Sequence, residues 1–395
     1  MPSRRDVLKA GGVGLTITLA GCSGDGSDGS DGSDGTDGSG GDTGGTDGGD
    51  GGSGTDGGDG GDGGEDEATE TPMAGEDINV GMIYALGGLG DQSFSDAAHR
   101  GIQQVEEEYG VSYQNAEPQS SGDFDQFQNR FARSSDPNYD LIVCLGFEQV
   151  APLQENANAY PDQNWALLDA SVDRDNVENW VYAEQQGTYL VGQAAAQLSA
   201  MEFSAGGGQT DPSNKTLGFV GGVEVPVVQA FEAGFRAGAQ AYDSEFEVLS
   251  SYVGGFSNPG QAEETARSMI DNGADVLLHG AGAGGSGVFK ACQDEGVFAF
   301  GADSRQSETA PQYSDIILGS MIKGVDSSVV QTVEHVVNDN FQGGETFELG
   351  AGEGGFELLW GVDIGDQIPQ DVKDLAETTK QELADGNIEV PASPS

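Results

Sequence analysis

The chain has 395 residues, of which 67 are acidic and 15 are Lys or Arg, so its formal net charge is −52. This length is sufficient for two globular lobes with sizeable cores. The charge argues against direct nucleic-acid binding, which requires a surface rich in Lys and Arg. Three Cys are too few for a disulfide framework.

The acidity is not confined to one segment. Residues 23–76 hold 12 Asp and 4 Glu without a basic residue, and residues 77–395 hold 50 acidic and 12 basic residues. Charge of this density repels itself in dilute salt, whereas 1 M salt screens it within roughly 3 Å. We therefore predict a protein from a very salty environment. The carboxylates show no ligand spacing, so no metal site is predicted.

Residues 1–21 have the pattern of an export signal. A basic segment with Arg4 and Arg5 precedes an apolar stretch at 10–20, which is too short to span a bilayer. The paired arginines are similar to a twin-arginine signal, and Leu19-Ala20-Gly21-Cys22 is similar to a lipobox. We predict cleavage before Cys22 and lipidation of its thiol, which would anchor the protein to the extracellular face of the cell membrane.

The composition of residues 22–76 predicts a disordered tether. They repeat Ser-Asp-Gly, Thr-Asp-Gly and Gly-Gly-Asp and contain almost no apolar side chains. Such a segment cannot bury enough surface to offset the entropy of ordering, and its like charges favour extension.

From Ile78 onward, apolar strands alternate with helices. A strand at 78–84 is followed by helical spacing at 94–109, and Gly110 is a helix stop. Further strand–helix pairs begin with strands at 141–145, 165–169, 216–220, 276–279 and 298–301. Continuous apolar strands separated by helices predict an α/β fold with parallel sheets covered on both faces. Ligands of such sheets bind at the carboxyl ends of the strands.

One loop permits a specific alternative. Residues 282–287 read Gly-Ala-Gly-Gly-Ser-Gly between a predicted strand and helix, and Asp303 lies 21 residues beyond Gly282. Glycine amides at a helix start and a downstream acid are typical of a dinucleotide site, so an exported oxidoreductase using NAD is one candidate. The motif lies deep in the chain, however, and the same groups suit a ribose.

No catalytic constellation is evident elsewhere. His99, His279 and His335 lie far apart without metal-ligand partners, and the chain has no Gly-x-Ser-x-Gly elbow. Cys144 and Cys292 lie in apolar surroundings and are predicted to be buried thiols. We therefore predict neither an enzyme nor a bound cofactor.

Several loops together resemble the basic membrane protein family of lipoproteins, the purine nucleoside receptor A-like substrate-binding proteins. The resemblance covers roughly residues 78–363. The matching stretches are Gly90-Asp91-Gln92-Ser93-Phe94-Ser95, residues 218–226 with 231–235, Asn272-Gly273-Ala274-Asp275-Val276, the Gly-rich loop, Gly301-Ala302-Asp303-Ser304, and residues 320–326.

The resemblance implies a type I periplasmic-binding-protein fold, with two doubly wound parallel-sheet lobes joined by three crossovers. The N-terminal lobe is expected at 77–190 plus 307–340, and the C-terminal lobe at 191–306 plus 341–390. Family members with a known ligand bind nucleosides in the interlobe cleft and deliver them to the permease and ATPase subunits of an ABC importer. The simplest tethered receptor of this kind is a monomer.

The resemblance also assigns site residues. Phe94 would stack on the nucleobase with Phe256 opposite, and Asp91 and Ser93 would shape the same loop. Asp169 would accept hydrogen bonds from the base edge. The ribose would be held by Asp303, Lys323 and the loop glycines Gly282, Gly284, Gly285 and Gly287. Gln92 and Ser95 replace the Lys and Asn common in the family, which leaves the choice of base open.

Alternatives remain for the roles of single residues and for the function of the protein. Structural roles compete at these positions: Phe94 suits an apolar core, Asp303 a helix N-cap, and Lys323 an ordinary salt bridge. The same lobes also suit a membrane sensor without transport, or a receptor for another small molecule such as a sugar.

Overall fold

The structure is a computed structural model that describes residues 73–394. The predicted signal peptide at 1–21, the predicted lipidation site Cys22 and nearly all of the predicted tether lie outside the described residues. Within residues 73–394, no helix has the length and apolar character needed to cross a membrane.

Strands and helices alternate along the described chain. In the first half they are β1 (Asn79–Ile83), α1 (Phe94–Tyr109), β2 (Ser112–Ala116), α2 (Asp123–Ala132), β3 (Leu141–Leu145), α3 (Val150–Ala159), β4 (Trp165–Leu168), β5 (Val177–Tyr182), α4 (Glu184–Ser199), β6 (Ser204–Ala205), β7 (Gly208–Gln209) and β8 (Thr216–Gly221).

The second half continues the alternation. It comprises α5 (Pro226–Tyr242), β9 (Glu247–Tyr252), α6 (Pro259–Asp271), β10 (Val276–Gly280), α7 (Gly285–Glu295), β11 (Phe298–Asp303), α8 (Gln306–Thr309), β12 (Ile317–Lys323), α9 (Val325–Val337), β13 (Thr346–Leu349), β14 (Phe356–Trp360) and α10 (Gln370–Ala384).

Two six-stranded sheets form the centres of two lobes. The first has the order β2-β1-β3-β4-β5-β13 and is parallel throughout, whereas the second has the order β9-β8-β10-β11-β12-β14 with only β14 antiparallel. Strands β3 and β4 are buried along their whole length, as expected for strands covered by helices on both faces. The predicted α/β fold with doubly wound lobes is confirmed.

Each sheet has an apolar core on both faces. In the first lobe, Ile102 of α1 and Val329 of α9 pack on one face, and Phe124 of α2 packs on the other. In the second lobe, Phe235 of α5 belongs to the core on one face and Phe289 of α7 to the core on the other. This two-sided burial fixes both sheets and leaves their strand ends free to form a site.

The chain passes between the lobes three times, as the resemblance implied. The passages are the links from β5 to α4, from β12 to α9, and from β13 to β14. They are hydrogen-bonded to one another, because the Ala183 N–H donates to the Leu349 carbonyl at 2.9 Å and the Gly324 N–H donates to the Gly355 carbonyl at 3.0 Å. The three links therefore form one hinge.

The expected lobe boundaries are wrong in three places. Strand β12, expected in the first lobe, lies in the second sheet, and β13, expected in the second lobe, pairs with β5 of the first. Helix α4 packs closely on α5 of the second lobe, because a Cβ on Gly192 would lie 2.1 Å from the Phe235 carbonyl oxygen. The chain therefore crosses at residue 183 rather than 190.

Candidate functional site

A cavity lies between the lobes, beside the hinge and at the carboxyl ends of both sheets. It is lined by seven of the predicted site residues: Asp91, Phe94, Asp169, Phe256, Gly282, Asp303 and Lys323. Its volume of about 80 Å³ is below the roughly 300–1,000 Å³ typical of ligand pockets. Binding of a larger molecule therefore requires the lobes to separate.

The loop before α1 is held by carboxylates. Asp91 accepts hydrogen bonds from the backbone N–H groups of Ser93 (2.9 Å), Ser95 (2.8 Å) and Asp96 (3.1 Å). Burial raises the pKa of Asp91 to about 6, although these three N–H donors act in the opposite direction. Asp91 thus caps the helix start and fixes Phe94, the first residue of α1, beside the cavity.

Ser93 and Asp303 join the two lobes directly. The Ser93 hydroxyl donates a 2.6 Å hydrogen bond to Oδ2 of Asp303, which ends β11 with φ of 64°. Burial raises the pKa of Asp303, and the nearby Lys323 and the Ser93 hydroxyl offset part of that effect. Asp303 is therefore engaged across the cleft and does not cap a helix.

A second set of contacts closes the same edge of the cleft. The Gln92 carbonyl, in the first lobe, accepts hydrogen bonds from Gln306 Nε2 at 3.1 Å and Thr309 Oγ1 at 3.3 Å. Gln306 is itself oriented by His279, whose Nε2 lies 2.7 Å from Gln306 Oε1. Burial lowers the pKa of His279 to about 4, so this ring is neutral at physiological pH.

Lys323 lies at the hinge among three carboxylates. Its ammonium pairs with Asp169 and lies 3.0 Å from Glu184, and its side chain is only 3% exposed. Burial alone would lower the pKa of Lys323, but Asp169, Glu184 and Asp303 outweigh it and raise that pKa. Lys323 therefore forms an ion pair, as the structural alternative predicted, but this pair is buried and lies beside the cavity.

Aromatic rings form the apolar part of the cavity. The Lys323 ammonium lies 5.2 Å from the centre of the Phe94 ring, within range of a cation–π interaction. Phe256 of the second lobe meets Phe147 of the first edge-on, with ring centres 6.4 Å apart. Gly222 permits this position, since a Cβ there would lie 2.4 Å from the Phe256 ring.

The Gly-rich loop contributes one glycine to the cavity. Gly282 lines it with φ of 54°, whereas the Gly284 N–H is used by the Phe256 and Ala281 carbonyls, each at 3.0 Å. A Cβ on Gly285 would lie 2.2 Å from the His279 ring, and one on Gly287 would lie 1.9 Å from the Pro259 carbonyl oxygen. The last two glycines serve close packing of α7. The Gly284 and Gly285 amides are already hydrogen-bonded within the chain, which disfavours the dinucleotide interpretation.

Nine of the residues that line the cavity, and Glu184 at the hinge, were not predicted as site residues. Glu184, which neutralises Lys323, is the first residue of α4 and carries no local sequence signal. Phe147 and Glu148 follow the buried strand β3, at the strand end where parallel sheets bind ligands. This rule directs attention to their loop but does not assign them a role.

No cysteine of the described residues lines the cavity. Cys144 and Cys292 are buried, as predicted, and burial raises the pKa of both thiols. Among residues 73–394, no three His, Cys, Asp or Glu side chains are grouped so that they could hold a metal ion.

Two doubly wound lobes, three hinge links and a cavity between the lobes define a solute-binding protein of the type I periplasmic-binding class. The structure of a solute-binding protein of an ABC transporter system from Aeropyrum pernix K1 matches it with a TM-score of 0.71 and 28% identity. That match covers 80% of this chain and 94% of the other.

Sequence comparisons identify the family. The Bmp model, described as ABC transporter substrate-binding protein PnrA-like, matches residues 78–393. An uncharacterized lipoprotein of Pyrococcus abyssi is 32% identical over 79% of this chain and 74% of its own length. The ABC transporter nucleoside-binding protein BmpA of Lactococcus lactis is 27% identical over 80% of this chain and 90% of its own. The chain belongs to the Bmp family of ABC transporter substrate-binding proteins, and the resemblance is confirmed.

Proposed function

We propose that the protein is a lipid-anchored extracellular receptor that binds a nucleoside between its lobes for an ABC importer. The observation that carries the proposal is the composition of the cavity, which combines aromatic rings from both lobes with a buried Lys and carboxylates at the hinge. These two parts suit the two parts of a nucleoside, a flat base and a hydroxylated sugar. The relative from Lactococcus lactis, named as a nucleoside-binding protein, supports the same ligand class.

The base would stack against Phe94 and Phe256. Base–aromatic stacking contributes roughly 1–3 kcal/mol per base in nucleic-acid complexes. Asp303 and Lys323 would bind the ribose hydroxyls through charged hydrogen bonds, each worth about 1.5–3 kcal/mol. Of the loop glycines, Gly282 lines the cavity and would let the sugar approach the backbone.

The charge of the site favours a nucleoside over a nucleotide. Lys323 is the single basic residue lining the cavity within the part of the chain that the structure describes, whereas Asp91, Glu148, Asp169 and Asp303 all line it. A phosphate would meet uncompensated carboxylates and the field of a strongly acidic protein. A neutral ligand avoids this repulsion.

The proposal includes the location and partners. Export, cleavage before Cys22 and lipidation of that residue would tether the receptor outside the cell, and the lipoprotein from Pyrococcus abyssi supports this. Closure of the lobes over the nucleoside would present one composite surface to the permease, and the ATPase would drive import. We expect a monomer.

Calorimetric titration of the full chain in molar KCl tests the proposal. The panel is guanosine, inosine, adenosine, cytidine, uridine, ribose and guanosine monophosphate. We expect one-to-one binding of a nucleoside, no heat with ribose, and weaker binding of the monophosphate. Phe94→Ala should weaken binding roughly 10- to 100-fold, whereas Phe127→Ala, at a half-buried ring outside the cavity, should leave the affinity unchanged. Folded protein that binds no nucleoside would contradict the proposal.

A further inference from the structure

Four carboxylates line the cavity, and three of them are already engaged. Asp91 accepts three backbone N–H groups. Asp169 pairs with Lys323, and Asp303 accepts the Ser93 hydroxyl beside that same Lys. The fourth is Glu148, and it differs from the others in its partners.

Glu148 is half-buried and has no basic side chain within salt-bridge distance anywhere in residues 73–394. Burial raises the pKa of Glu148, and the nearby backbone N–H of Leu86 offsets part of that effect. A carboxylate offers about four acceptor positions on two oxygens. No side chain among residues 73–394 pairs with Glu148, so these positions are open to donors on a ligand.

The position of Glu148 relates it to the base rather than the sugar. It follows Phe147, whose ring meets Phe256 across the cleft. Lys323 and Asp303 are the groups expected to bind the ribose. They contact Asp169, Glu184 and Ser93, and neither of them contacts Glu148. A base seated against these aromatic rings would present its edge to Glu148.

The donor pattern of that edge follows from the geometry of a carboxylate. Two oxygens side by side accept two parallel N–H bonds, and such charged bidentate pairs are stronger than single neutral bonds. Guanine carries adjacent donors, N1–H and the N2 amino group. Hypoxanthine has only N1–H on that edge, and the amino groups of adenine and cytosine lie next to an unprotonated ring nitrogen, which a carboxylate repels.

We propose that Glu148 determines the specificity of the site by binding the N1–H and N2 amino group of guanine, so that the receptor prefers guanosine. This inference rests on the proposed nucleoside function. The base edge thus falls to Glu148 and not, as the sequence predicted, to Asp169, since Asp169 pairs at the hinge with Lys323, which is proposed to bind the ribose.

Competition titration of the full chain in molar KCl with guanosine and inosine tests the inference, since the two differ only by the N2 amino group. We expect guanosine to bind about 10- to 100-fold more tightly than inosine. In Glu148→Gln, the side-chain amide would face the N2 amino group, so guanosine should lose this advantage while inosine binding changes little. The exposed Glu155→Gln on α3 is the matched control and should retain the preference.

Equal affinity for the two nucleosides in the parent protein would overturn the inference, and so would a preference that survives in Glu148→Gln. Both outcomes would leave the proposed function intact. Failure of every nucleoside to bind would instead contradict the proposed function, and this inference with it.

Discussion

The Ser93 hydroxyl of the first lobe donates a 2.6 Å hydrogen bond to the Asp303 carboxylate of the second. The contact is reinforced in the opposite direction, because Ser304 Oγ donates to the Ser93 carbonyl at 3.0 Å. Both partners belong to loops that the sequence singled out. Asp303 therefore both closes the cleft and is proposed to bind the ligand, and Ser93 is adjacent to Phe94, which is proposed to stack on the base.

Removing this contact should favour the open form of the ligand-free protein. Ser93→Ala leaves Asp303 buried with one donor fewer, and a hydrogen bond to a charged group contributes about 1.5–3 kcal/mol. We expect a larger radius of gyration in small-angle X-ray scattering without ligand. The exposed Ser327→Ala should scatter like the parent, and an unchanged curve for Ser93→Ala would show that this bond does not control closure.

The hinge should depend on Lys323. Lys323→Met leaves Asp169 and Glu184 buried without a cation, and breaking a buried ion pair in this way typically costs about 3–5 kcal/mol. We expect a loss of this size in urea unfolding. Lys290→Met is the matched control, because Lys290 forms exposed ion pairs and should contribute less than about 1 kcal/mol. Equal losses in both variants would refute the special role of Lys323.

Asp275 should make stability depend on pH. It is 4% exposed and accepts one hydrogen bond from the Asp211 N–H at 2.8 Å, yet burial raises its pKa to about 6. The folded state thus binds the proton more tightly than the unfolded state. The resulting stabilisation is complete below about pH 4 and is lost as the pH rises through about 6.

Asp275→Asn removes this titration and retains an acceptor for the Asp211 N–H. The stability of the variant relative to the parent should therefore increase by roughly 1–3 kcal/mol between pH 4 and 7. Urea unfolding at both pH values measures the difference, with the exposed Asp271→Asn as control. A difference that stays constant, or that falls with rising pH, would refute the assignment.

Salt should stabilise the fold. Residues 77–395 carry 50 acidic and 12 basic residues, and the screening length falls from about 10 Å at 0.1 M salt to about 3 Å at 1 M. We expect the urea midpoint to rise with KCl and to level off above about 1 M. Sucrose acts by exclusion from the surface without screening charge. An equal rise in sucrose, or none in KCl, would argue against charge repulsion as the cause.

Much of the fold could be predicted because its central strands are continuous apolar runs. Strands β1, β3, β4, β8, β10 and β11 were all anticipated. Strands β2, β5, β9, β12, β13 and β14 were not. The edge strands β2 and β9, for example, are partly exposed and mix polar with apolar residues. The lobe boundaries were wrong because a strand's own sequence does not state which of two sheets it joins, as β12 and β13 show.

The candidate site was predictable where spaced motifs carried it. Asp91, Phe94 and Lys323 were assigned through the family resemblance, and all three line the cavity. Glu184 could not be found in this way, because its proximity to Lys323 arises only when two hinge links meet. Gly285 was assigned to the ribose but does not line the cavity, because it packs against the His279 ring.

The most direct test of the account is a crystal structure of the protein grown with the nucleoside that binds most tightly in titration. The account predicts electron density for one nucleoside between the lobes, with its base against Phe94 and its ribose hydroxyls on Asp303 and Lys323. A nucleoside bound outside the cavity, or a different compound occupying the cavity in its presence, would contradict it.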